Sequence, residues 1–133
     1  MPTEIFVENT DNRYTQKITS GSHTICADQP KDQKGDDKGP APFDLLLSAL
    51  GSCTSITLKM YAERKNIKLD VINVRLNYIP PNDIDGSSSR IIRKIHLEGD
   101  FTEEQHHRML EIADRCPIHT TLRENVDIMS SFE

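Results

Sequence analysis

The stretch Leu45–Lys65, LLLSALGSCTSITLKMYAERK, decides how this chain is read. It opens as an apolar run and narrows at its middle to Gly51, Ser52, Cys53, Thr54 and Ser55. Leu46, Leu50, Cys53, Thr57 and Met60 follow at alternating spacings of four and three, which places them on one helical face. Leu45, Ala49, Ile56 and Met60 form an adjoining stripe. A helix apolar nearly all round is a buried helix, so this segment is expected to be a long buried central helix. Pro40, Pro42 and Asp44 suit its N-terminus, and Glu63–Lys68, ERKNIK, supplies the basic residues and asparagine of a helix end. Gly51 costs a helix interior about 1 kcal/mol relative to alanine, and Ser52, Thr54 and Ser55 weaken it slightly. Two readings of that local weakness stand side by side. The small residues serve close packing around an ordinary buried thiol, or they leave room for another group to approach a reactive sulfur.

The flanking sequence frames the helix. EIFVEN (Glu4–Asn9), YTQKIT (Tyr14–Thr19) and HTICAD (His23–Asp28) read as short strands separated by turn residues. Asp28–Pro42 is charged, carries Gly and Pro, and lacks periodicity, so it reads as a long exposed loop. After the helix, Leu69–Ile79 alternates with Ile72, Val74, Leu76 and Tyr78 on one face. Arg90–Asp100 places Ile91, Arg93, Ile95 and Leu97 on one face and Ile92, Lys94, His96 and Glu98 on the other. TEEQ, Thr102–Gln105, has the pattern of a capping box. Met109, Ile112, Ala113 and Cys116 then recur at helical spacing. Asn125–Phe132, NVDIMSSF, is expected to close the chain as a strand with Val126 and Ile128 on one face. The order of elements is α+β, with antiparallel sheet and helices in a single domain over residues 1–133.

Composition excludes several function classes. A net charge of −5, no lysine- or arginine-rich cluster and no tryptophan argue against a nucleic-acid partner. The start, MPTEIFVENT, has no basic, apolar leader pattern, and no run approaches the ~18 uninterrupted apolar residues of a membrane span. A cytoplasmic protein with reduced thiols is expected, because three cysteines without a C-x-x-C make no disulfide framework. Metal binding is not expected. Cys116 and His119 form a single C-x-x-H, and His106 and His107 are helix neighbours that point apart.

Cys116 lies in DRCPIHTTLREN, Asp114–Asn125. Pro117 suits the first position of a helix and makes Cys116 its N-cap. A helix N-terminus or a nearby cation, such as Arg115, favours the thiolate. Equally, Cys116 continues the apolar face begun at Met109. Cys26 alternates with Thr24 in a strand and reads as an ordinary strand residue.

Two motifs together, GPAPFDLLLSALGSCTSITLKMYAERK (Gly39–Lys65) and EIADRCPIHTTLRENVDI (Glu111–Ile128), resemble the OsmC/Ohr family of osmotically induced and organic-hydroperoxide-resistance proteins. The similarity is closest to its OsmC-like predicted redox proteins. The resemblance implies antiparallel sheets packed around the central helix and an intertwined homodimer. It also implies a thiol peroxidase in which Cys53 is the peroxidatic cysteine and Cys116 the resolving one. Family peroxidases hold the thiolate with an arginine from the N-terminal half, oriented by a carboxylate near the start of the central helix. Arg13, the single arginine before that helix, and Asp44 are the matching candidates. The implied partners are an organic hydroperoxide, an external dithiol reductant and a second subunit, with no metal or organic cofactor. The alternative is a non-catalytic dimeric domain of this fold that holds a small apolar molecule.

Overall fold

The computed structural model describes residues 4–133; residues 1–3, the start of the stretch read above as lacking a leader, lie outside the described residues. The chain forms two compact units, one ending at Leu46 and one running Leu47–Glu133.

The first unit is built on three antiparallel strands in sequence order, β1 (Ile5–Asn9), β2 (Gln16–Ser20) and β3 (His23–Ala27). Val7 pairs with Ile18 and Ile18 with Ile25, so branched side chains meet across both ladders. The segment after β3 is shorter of freedom than its composition implies. A 3-10 turn at Lys31–Gln33 interrupts it, and Asp28, only 2% exposed, anchors it. The Asp28 carboxylate accepts from the Thr15 hydroxyl at 2.6 Å and from the backbone N–H groups of Gln29 at 2.7 Å and Lys38 at 3.2 Å. Its own N–H donates to the Pro40 carbonyl at 3.1 Å. Gly39 lies so close to β3 that a Cβ there would meet the Cys26 carbonyl oxygen at 2.5 Å, which leaves room only for glycine.

Helix α1 spans Pro42–Arg64. Proline opens it, and the Asp44 carboxylate accepts the Ala41 N–H at 3.3 Å, satisfying a donor that the first turn leaves unpaired. Its end is equally local. Asn66 takes a left-handed φ of 56°, and the Ile67 N–H reaches the Ala62 carbonyl at 2.8 Å, as in a Schellman closure.

In the second unit, β4 (Lys68–Ile79) and β5 (Arg90–Asp100) form an antiparallel pair with an irregularity between Leu69 and Val71. Helix α2 (Glu103–Ala113) starts with a complete capping box between Thr102 and Gln105, and α3 (Pro117–Arg123) follows. The core joins Leu58, Tyr61 and Ala62 of α1 to Ile67, Leu69, Met109, Ile112 and Ala113, with Ile72, Ile95, Leu97 and Phe101 packed against it.

Two expectations need correction. The central helix is not buried all round. It buries Leu50, Gly51, Thr54, Leu58, Tyr61 and Ala62, while Phe43, Leu46, Ile56 and Met60 remain exposed. The expected closing strand at Asn125–Phe132 is absent: that stretch has no strand pairing, and Val126, Ile128, Met129 and Phe132 are exposed. A strand needs a ladder partner, and two alternating apolar residues do not supply one.

Candidate thiol site

Cys53 sits half-buried on α1, and Cys116 is completely buried at the N-cap of α3. The Cys116 sulfur accepts the His119 N–H at 3.3 Å, an unusual use of cysteine as a cap, with Pro117 at the first helical position as its sequence implies. The Cys116 thiol, the Ile118 N–H and the Thr57 hydroxyl are the neighbouring groups that act on the Cys53 thiol. The first turn of α3 thus bears on both thiols, the His119 N–H as a donor to Cys116 and the Ile118 N–H as an influence on Cys53. Burial, the leading influence, pushes the Cys53 thiol up; the Ile118 N–H opposes it, and the neighbouring Cys116 pushes it further up. No cation is among the largest influences on Cys53.

The small residues around Cys53 have separate explanations. Gly51 is buried where a Cβ would come within 2.8 Å of the Leu76 side chain on β4, so it serves helix–sheet packing. The Ser52 hydroxyl bonds back to the Ser48 carbonyl at 2.8 Å on an exposed face. The Thr54 hydroxyl, fully buried, donates to the Leu50 carbonyl at 2.7 Å and accepts from Arg93 at 3.0 Å. The packing reading therefore accounts for Gly51, and a polar network accounts for Thr54.

That network escaped sequence reasoning. The Arg93 side chain is only 10% exposed. One of its nitrogens, Nη1, donates to Thr54 Oγ1 and to the Ala113 carbonyl at 3.5 Å; the other, Nη2, donates to Asp114 Oδ1 at 2.7 Å. His119 Nδ1 is 3.8 Å from the same Asp114 oxygen, while its Nε2 is buried without a hydrogen-bond partner. Burial, then the Arg93 charge, hold the His119 imidazole below its ordinary pKa, so it is neutral at pH 7. A signal existed in the sequence: Arg93 occupies the inward register of β5 among Ile91, Ile95 and Leu97, an arginine on an apolar face.

The other two candidates are positioned by local contacts within the first unit. Arg13 is exposed, with its guanidinium 5.3 Å from the centre of the Tyr14 ring. Asp44 caps α1 as described above. Cys26 turns its sulfur toward the adjacent Ala27 carbonyl at 3.8 Å. Among the described residues, no group of three or more His, Cys, Asp or Glu is placed to hold a metal ion.

Similarity to known proteins agrees with this architecture. The chain aligns with an OsmC-like protein from Mycoplasma pneumoniae at a TM-score of 0.78 and 23% identity, covering 92% of this chain and 88% of that one. OhrB, the organic hydroperoxide resistance protein of Bacillus subtilis, aligns at a TM-score of 0.61 and 20% identity, covering 96% and 94%. An organic hydroperoxide resistance protein from Legionella pneumophila, described as a predicted redox protein, aligns at 0.65 and 15%, covering 96% and 93%. These likenesses establish the fold. No curated protein sequence matches the chain. The model of the OsmC-like protein family matches residues 35–131, which include both cysteine motifs, and the chain belongs to that family.

Proposed function

We propose that this protein is a cytoplasmic, homodimeric thiol peroxidase that reduces organic hydroperoxides. What carries the reading is that Cys116 at the N-cap of α3 is close enough to Cys53 on α1 to influence its ionisation. The Cys53 thiolate attacks the peroxide oxygen, the alkoxide leaves as an alcohol after taking a proton, and Cys53 becomes a sulfenic acid. Cys116 displaces water from that sulfenic acid to form the disulfide, and an external dithiol reduces it by thiol–disulfide exchange. Burial works against the first step, because peroxide reduction needs the thiolate. A cation at ~4 Å is worth up to ~4 kcal/mol at an effective dielectric of about 20, against about 0.3–1 kcal/mol for a helix terminus. The reading assigns that cation to Arg13, oriented by Asp44. The exposed apolar side chains of α1, Phe43, Leu46, Ile56 and Met60, support a homodimer; a folded 15.1 kDa monomer in light scattering at micromolar concentration would contradict it.

The test is thiol titration with one equivalent of cumene hydroperoxide. Loss of two thiols per chain, mapped to Cys53 and Cys116 with Cys26 intact, is the expected result. Cys53→Ser should abolish peroxide consumption, whereas Cys116→Ser should stop at a sulfenic acid that dimedone traps. One feature favours the second reading, a non-catalytic dimeric domain holding a small apolar molecule: burial pushes the Cys53 thiol up, away from the thiolate. Unchanged thiols after peroxide would select it.

A further inference from the structure

We infer that Arg93 is the positioning residue that holds Cys53 and Cys116 together for disulfide exchange, a role that rests on reading these two cysteines as a redox pair. The cysteines belong to different elements, α1 and the turn after α2. Each of the two atoms bonded by Arg93 Nη1 is one step from a sulfur-bearing residue. Thr54 Oγ1, at 3.0 Å, belongs to the residue next to Cys53. The Ala113 carbonyl, at 3.5 Å, is the one that also accepts the backbone N–H of Cys116, at 3.2 Å. The second nitrogen, on Asp114, fixes the plane of the fork from the far side. Because a guanidinium is planar, its separate N–H groups hold fixed directions, and setting all three bonds at once sets α1 against the Cys116 turn. Lysine, with one compact ammonium on a flexible stem, cannot reproduce that fork. Neither Arg93 nor Thr54 bonds a sulfur; they act on the alignment of the two thiols.

Alignment of a thiol pair is read by its disulfide equilibrium, without peroxide. Full-length protein is equilibrated in mixtures of reduced and oxidised glutathione, each disulfide formed converting one oxidised glutathione to two reduced ones. The Cys53–Cys116 bond is quantified by alkylation and peptide mapping. Arg93→Met keeps the apolar stem and removes the fork. It should lower the disulfide equilibrium constant at least tenfold, about 30 mV for a two-electron couple, while Arg93→Lys recovers only part. A residue that merely stabilises the fold contributes equally to both redox forms and would leave this equilibrium unmoved. A wild-type potential in Arg93→Met overturns the inference. If that variant does not fold, Thr54→Val removes one bond of the fork and should shift the equilibrium about threefold; no shift overturns the inference. A wild-type chain that forms no such disulfide in glutathione also overturns it. A wild-type chain that forms the disulfide but does not consume cumene hydroperoxide refutes the peroxidase reading and leaves the role of Arg93 standing.

Discussion

Asp28 in the first unit and Arg93 in the second are charged side chains drawn out of water, and the two are solved in opposite ways. In the first unit, Asp28 collects donors from nearby chain: Thr15, 13 positions away, Gln29, 1 away, and Lys38, 10 away. In the second, Arg93 reaches Thr54, Ala113 and Asp114, which lie 39, 20 and 21 positions away. An acceptor-only carboxylate is satisfied by backbone N–H groups that a folded-back loop supplies without help from other elements. A guanidinium carries five donors in a fixed fork and finds acceptors only where several elements converge. Asp28 therefore shapes a loop, and Arg93 shapes the packing of α1, β5 and the end of α2.

The largest expected effect follows from that contrast. Arg93→Met should destabilise the protein by about 1–3 kcal/mol in denaturant melts, because it removes the charge-assisted hydrogen bonds that tie β5 to Thr54, Ala113 and Asp114. Asp28→Ala should act locally, accelerating amide hydrogen exchange at Gln29 and Lys38 with a smaller shift in Tm. Global loss of protection in Asp28→Ala, or a merely local loss in Arg93→Met, would break the contrast.

Acid separates the two anchors further. His119, beside Arg93, Asp114 and Arg123, has its pKa lowered mainly by burial. The unfolded chain therefore binds a proton there first, so stability is full above the unfolded value near 6.5 and falls as pH drops below it. Asp28 has its pKa lowered chiefly by the Thr15 hydroxyl, so its contribution holds above the unfolded value of 3.8 and is lost only as pH falls through the lower folded value. Stability measured by melting between pH 7 and pH 5 should thus decline in the wild type and decline less in His119→Gln. An unchanged slope in His119→Gln would remove His119 from the account. The smallest effect concerns the thiol: iodoacetamide labelling of Cys53 should keep rising with pH through and beyond the ordinary thiol range. Cys116→Ala, which removes an upward influence, should move that rise slightly to lower pH. A plateau below the ordinary range in the wild type would instead show the cation that the peroxidase reading requires at Cys53, and Arg13→Ala would then test whether it is Arg13.

All but the last of the expected elements were legible. The capping box at Thr102, Asn66 at the end of α1, Pro117 after Cys116 and the alternation of β4 and β5 are short-range features, and each one formed where the sequence implies. Half of the thiol site was legible in the same way, since Cys116 as an N-cap needs only its own neighbours. What the sequence could not determine was which side of α1 would be covered. With apolar residues on nearly every side, that helix has no preferred direction. Of the expected stripe Leu46, Leu50, Cys53, Thr57 and Met60, only Leu50 is buried, because packing against β4, β5 and α2 chose the side that carries Leu50, Thr54, Leu58, Tyr61 and Ala62. The same choice brought Cys53 beside Cys116 and placed Thr54 beneath Arg93. The sequence by itself determined where most helices and strands begin and end, because caps and alternation act over a few residues; the strand expected at Asn125–Phe132 is absent because a strand also needs a partner from elsewhere in the chain. Only the tertiary structure decided which faces meet, because burial and the geometry of a guanidinium fork depend on groups brought together from distant parts of the chain.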